Sequence, residues 1–100
     1  MKERILQVFN QVFGETGIDV FFNGWRAEGC SVIVTDSVWS HQIEKLIQAL
    51  NLALPELKYP LDEWRVRKAT ANAIVSKEVP EDIKDDCYEV RLIYKGTYRH

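Results

Sequence analysis

Asp62-Glu63-Trp64-Arg65-Val66-Arg67-Lys68-Ala69-Thr70-Ala71-Asn72-Ala73-Ile74-Val75-Ser76 can be read in two ways, and the fold follows from the choice. As a strand, Trp64, Val66 and Lys68 alternate with Arg65, Arg67 and Ala69, and beyond that the apolar pattern fades. As a helix, Asp62 caps the first turn, and Trp64, Ala71, Ile74 and Val75 lie loosely on one side. Trp, Val, Thr and Ile concentrate here. Such β-branched and aromatic side chains suit a pleated surface better than a helix, where their χ1 freedom is lost. The segment is therefore read as a strand, with a third helix at about 62–76 as the alternative.

Its neighbours are less ambiguous. Upstream, residues 37–54 form a helix with Trp39, Ile43, Leu46, Ile47 and Leu50 on one stripe. Asp36 or Ser37 is placed to cap its first turn. Pro55 disfavours helix at Leu54 and ends the run. Residues 55–61 are a connection holding two prolines. Downstream, residues 77–86 make an acidic loop, with Pro80 able to open a helical turn. Residues 87–95 make a strand that Gly96 ends. Tyr88, Val90 and Leu92 face one way along it, and Glu89, Arg91 and Ile93 the other.

The first third of the chain adds a helix and a hairpin. Residues 2–13 repeat Ile5, Val8, Phe9 and Val12 at helical spacing, and Gly14 suits a left-handed C′ position. Residues 18–35 are a β-hairpin whose tight turn falls either at Asn23-Gly24 or at Ala27-Glu28-Gly29. Ile18, Val20 and Phe22 share one face; Asp19, Phe21, Asn23 and Trp25 share the other. Cys30, Val32 and Val34 oppose Ser31, Ile33 and Thr35 in the same way. The expected fold is α+β in the order α-β-β-α-β-β, with two helices on one face of a mostly antiparallel sheet.

The chain has 100 residues, 46% of them hydrophobic and 28% charged, which suits one modest globular domain spanning 1–100. No run approaches the ~20 apolar residues of a membrane span. Met1-Lys2-Glu3-Arg4 leads into an amphipathic helix interrupted by Gln7, Asn10 and Gln11, so the cytoplasm is the expected location. The net charge of −2 gives no global attraction to nucleic acid or anionic lipid. Locally, residues 78–89 carry six acids against Lys84 alone, read as a solvated loop rather than a mimic of nucleic-acid charge.

Few residues carry chemistry by their pattern. Cys30, His41, Cys87 and His100 hold no close pair of the kind that preorganises a zinc site. A Cys30–His41 dyad lacks any local feature that would activate the thiol. Glu81-Asp82 and Asp85-Asp86 sit in a loop, where a perturbed acid–base pair is not expected. Gly14-Glu15-Thr16-Gly17 is too short for a phosphate loop. No catalytic residue, metal or cofactor is therefore assigned.

Two binding readings remain. Phe21, Trp25 and Ile33, with Arg26 nearby, would give the hairpin a second apolar face, the kind of surface on which interfaces concentrate energy. The opposing expectation is that the chain covers that face itself. On this basis the chain reads as a non-enzymatic protein-interaction domain that self-associates as a homodimer through a sheet face. The alternative is a nucleic-acid-binding module using Trp64, Arg65, Arg67 and Lys68, which combine a stacking ring with phosphate-binding cations.

Overall fold

A computed structural model describes residues 1–95. The expected strand end at Gly96 and the basic Arg99 and His100 lie outside the described residues. Helix α1, Lys2–Phe13, buries Ile5, Val8, Phe9 and Phe13 along one stripe. Its last carbonyl, Phe13 O, accepts the Thr16 N–H at 2.9 Å and the Thr16 hydroxyl at 2.6 Å. That cap lets Gly14 keep right-handed dihedrals, φ −57° and ψ −29°, and the left-handed residue is Gly17, φ 77°, instead.

Strands β1, Val20–Arg26, and β2, Gly29–Val34, form the hairpin, closed by the two-residue turn Ala27-Glu28. The pairing shifts between Phe22 and Gly24, so Asn23 is bulged out of register. A bulge adds one residue to one strand and inverts the alternation beyond it. Trp25 consequently lies opposite Cys30, on the side of Phe22, whose ring it meets edge-on at 5.4 Å. The face shared by Phe21 and Trp25 in the unbroken alternation does not form.

Helix α2 runs over Ser40–Ala53 and buries Ile43, Leu46, Ile47 and Leu50. It starts later than residue 37. The Asp36 carboxylate accepts the N–H of the adjacent Ser37 at 2.8 Å, and Gln42 Oε1 accepts the Trp39 N–H at 2.8 Å at the true helix start. Trp39 thus precedes the helix and is 70% exposed instead of joining the stripe. Arg4 of α1 bonds Glu56 and the Ala53 carbonyl, tying the two helices together at that end.

Strands β3, Leu61–Lys68, and β4, Tyr88–Tyr94, complete an antiparallel sheet in the order β1-β2-β4-β3. The architecture is α+β, with both helices on one face. There Phe9, Phe13, Val32, Val34, Leu46, Leu50, Val90 and Leu92 close the main core. Of residues 62–76, the strand extends only as far as Lys68. The Ala69 N–H makes a last bond to Cys87 O at 2.9 Å, and the chain then crosses the sheet's other face. In residues 69–87, which include the 3-10 turns Ala71–Ala73 and Glu81–Asp86, Ala69, Ile74, Val79 and Cys87 gather on Ile33 as a second core, with Phe21 and Ile83 at its margin. The fading alternation after Ala69 marks this departure. Among the described residues no helix is long and apolar enough to cross a membrane.

Candidate functional site

The second face of the sheet is apolar at one side and ionic at the other. Strand register sets Ser31, Arg91 and Arg65 in one row across β2, β4 and β3, and Ile33, Glu89 and Arg67 in the next. Glu89 is the centre. Its residue is 1% exposed, so the carboxylate needs partners. The Ser31 hydroxyl donates to Oε2 at 2.6 Å, and Arg67 Nε donates to Oε1 at 2.9 Å. Arg91 Nη2 lies 3.5 Å from the same oxygen, and its Nη1 lies 3.6 Å from Glu28. Burial pushes the Glu89 carboxyl up, but the Ser31 hydroxyl, the Arg91 charge and Arg67 outweigh it and hold the group below its ordinary value.

The network continues to the crossing segment. Asn23, bulged from β1 and 3% exposed, donates to Ser31 Oγ at 3.1 Å and to Ala73 O at 3.0 Å. Its Oδ1 accepts the Val75 and Ser76 N–H groups at 2.8 and 3.2 Å. One amide side chain therefore fastens residues 73–76 to the sheet and links them through Ser31 to Glu89.

Arg65, Arg67, Glu89 and Arg91 line a cleft of about 60 Å³. Arg65 and Arg67 are exposed; Arg91 is half-buried, and its Nε is buried with no hydrogen-bond partner among the described residues. The arrangement is a face of three guanidinium groups around one buried carboxylate, with Glu28 beside it. Forked donors at such spacing have the geometry to hold a carboxylate or phosphate.

The residues singled out from sequence are distributed differently. Of the basic-aromatic set, Arg65 and Arg67 lie on this face. Trp64 is half-buried on the helix side, and Lys68 sits on that same side over the Tyr88 ring, 4.9 Å from its centroid. Of the hairpin set, Ile33 is buried, Phe21 packs at its margin, and Trp25 lies across the sheet, 44% exposed. Arg26 donates to the neighbouring Trp25 carbonyl. The chain does cover that part of the face itself. Cys30 is buried, and desolvation pushes its thiol up to about 12, the reverse of what a nucleophile needs; His41 is exposed. Burial likewise raises Cys87, which donates to Ile83 O.

Glu89, Ser31, Asn23 and Arg91 were not singled out from sequence as a site. The one available signal was the alternation that puts Glu89 and Arg91 on one face of β4; their meeting with β3 needed the register. On the helix side, α2 and β3 enclose a further open groove of about 420 Å³ lined by Glu44, Ile47, Gln48, Asn51, Leu61, Asp62 and Trp64. Comparison with family models, with curated proteins and with solved structures gives no match.

Proposed function

We propose that the chain is a small non-enzymatic interaction domain, homodimeric and working in the cytoplasm, that holds an acidic segment of a partner protein on its arginine face. The observation that carries this reading is the register placing Arg65 directly opposite Arg91 and Arg67 opposite Glu89. Arg65 and Arg67 are exposed on this face beside the half-buried Arg91, and forked guanidinium donors at that spacing suit the carboxylates of an acidic segment laid along β3. Two buried, unpaired thiols, Cys30 and Cys87, suit a reducing compartment.

A protein partner is preferred to nucleic acid on one ground. Single-stranded nucleic acid is held by cations interleaved with aromatic rings on which bases stack. Here the rings of β3 and β4, Trp64, Tyr88 and Tyr94, all pack against the helix side, away from the arginines.

The test is fluorescence anisotropy with a labelled Glu/Asp-rich peptide and a labelled single-stranded oligonucleotide of equal charge, each titrated at several salt concentrations. The expected result is salt-sensitive peptide binding that weakens in Arg65→Ala, a variant that leaves Ser31, Arg67 and Arg91 in place around Glu89. Binding of the oligonucleotide alone would replace this reading with the nucleic-acid one. Binding of neither would remove the arginine face as a docking surface.

A further inference from the structure

β3 forms one margin of the sheet, joined to β4 on its inner side. A strand at a margin presents a row of unpaired backbone donors and acceptors, a template for another strand. The opposite margin is blunted: β1 is broken in mid-strand by the bulge at Asn23. In β3 the irregularity falls at the very start, between Leu61 and Glu63, leaving 63–68 regular.

The charges along β3 are ordered by sign. Asp62 and Glu63 come first; Arg65, Arg67 and Lys68 follow. They are also sorted by face. Asp62 lines the groove on the helix side, and Lys68 lies on that side over Tyr88. Glu63 is opposite Ile93 and Arg67 opposite Glu89, which puts both on the arginine face.

We infer that two copies of the chain join by antiparallel pairing of β3 with β3, centred on Arg65, into one continuous eight-stranded sheet. This rests on the reading of the chain as self-associating and adds the surface and the register. Opposed residues in an antiparallel pair share a face, and a two-fold axis makes each contact occur twice. With Arg65 at the centre, Glu63 meets the partner's Arg67 on one face, and Asp62, at the bulge just outside the regular stretch, comes alongside the partner's Lys68 on the other. Four opposite-charge pairs result, against one like pair at Arg65 itself. Trp64 lies beside the partner's Val66, extending the apolar helix-side surface across the axis. Other registers are poorer. Centring on Val66 sets Arg65 against the partner's Arg67 twice. Centring on Trp64 gives two Glu63–Arg65 contacts but sets Asp62 against the partner's Val66 and Lys68 against the partner's Pro60, leaving two opposite-charge pairs instead of four. The groove between α2 and β3 opens at this same margin, so the partner's α2 comes alongside to close it.

Charge reversal tests the pairing. Asp62→Lys and Lys68→Glu are chosen because neither residue touches the Glu89 network, and circular dichroism of each variant checks the fold. The native chain, followed by light scattering over a dilution series, is expected to be a dimer. Each variant alone should dimerise at least about tenfold more weakly, since two attractive contacts become repulsive. An equimolar mixture of the two variants should recover a dimer, because each substituted position then faces its opposite charge. A native chain that stays monomeric into the submillimolar range overturns self-association and this inference together. A dimer indifferent to both substitutions, or a mixture that shows no rescue, overturns the β3 pairing and leaves self-association standing.

Discussion

At the scale of single residues, the weight of the second face falls on Glu89 and Asn23. Glu89 is ionised, nearly inaccessible and held below its ordinary value of 4.5. A depressed carboxyl pKa adds stability that is present above the unfolded value and is lost as pH falls through the folded one. Glu89→Gln keeps the shape but removes the charge that Arg67 and Arg91 face. It should lower stability by about 2 kcal/mol at pH 7, measured by denaturant unfolding. The gap between variant and native chain should narrow only as pH falls past 4.5 and through the lower native value, where the folded carboxyl takes up its proton; a constant gap across pH would contradict the assigned ionisation. Cys30 supports a further test. With its thiol buried and raised to about 12, labelling should proceed only as fast as the domain opens, and rapid labelling under native conditions would contradict its burial.

At the scale of elements, the sheet and helices were legible because their signals are local and periodic. The stripe of α1 and the alternation of β4 each repeat within a dozen residues. Three features were not legible for the opposite reason. The inversion of Trp25 depends on a bulge at Asn23, whose side chain bonds residues about fifty positions away that no local pattern brings near it. The start of α2 is marked by Gln42 reaching back to the Trp39 N–H, while Asp36 takes the Ser37 N–H beside it, ahead of the helix. The end of β3 depends on the second core assembled by Ile74 and Val79 on Ile33. Of the site, Arg65 and Arg67 stood out as a local cluster, whereas Glu89, Ser31 and Arg91 are joined to them by strand register alone. Asn23→Ala should therefore act on a segment rather than at a point. Losing one amide leaves the Val75 and Ser76 N–H groups and the Ala73 carbonyl without that partner, each a penalty of about 1–3 kcal/mol where buried. Amide exchange should quicken across 73–79 well before it quickens in β2 or β4. Uniform acceleration would show instead that the crossing segment and the sheet open as one unit.

At the scale of the whole molecule, the two proposals are coupled. In the proposed dimer the row Arg91–Arg65 of one copy runs into Arg65–Arg91 of the other, so four guanidinium groups line up across the two-fold axis. An acidic ligand lying along that row offsets the repulsion at the centre. Binding and dimerisation then reinforce one another to the same extent in both directions. Adding polyglutamate to a dilution series should shift dissociation to lower protein concentration, and high salt should weaken the shift. Dissociation promoted by the polyanion would mean that ligand and second copy compete for β3.

The strand order carries a consequence for how the chain is made. β4 is the last of the four strands to be synthesised, yet it sits between β2 and β3 and supplies a neighbour to each. Until it leaves the ribosome, the hairpin has an open inner margin and β3 has no partner. The segment that will cover Ile33 is fastened at one end only. The growing chain therefore carries its exposed strands until β4 has emerged, and a pause before Tyr88 would leave them open to pairing with another nascent chain.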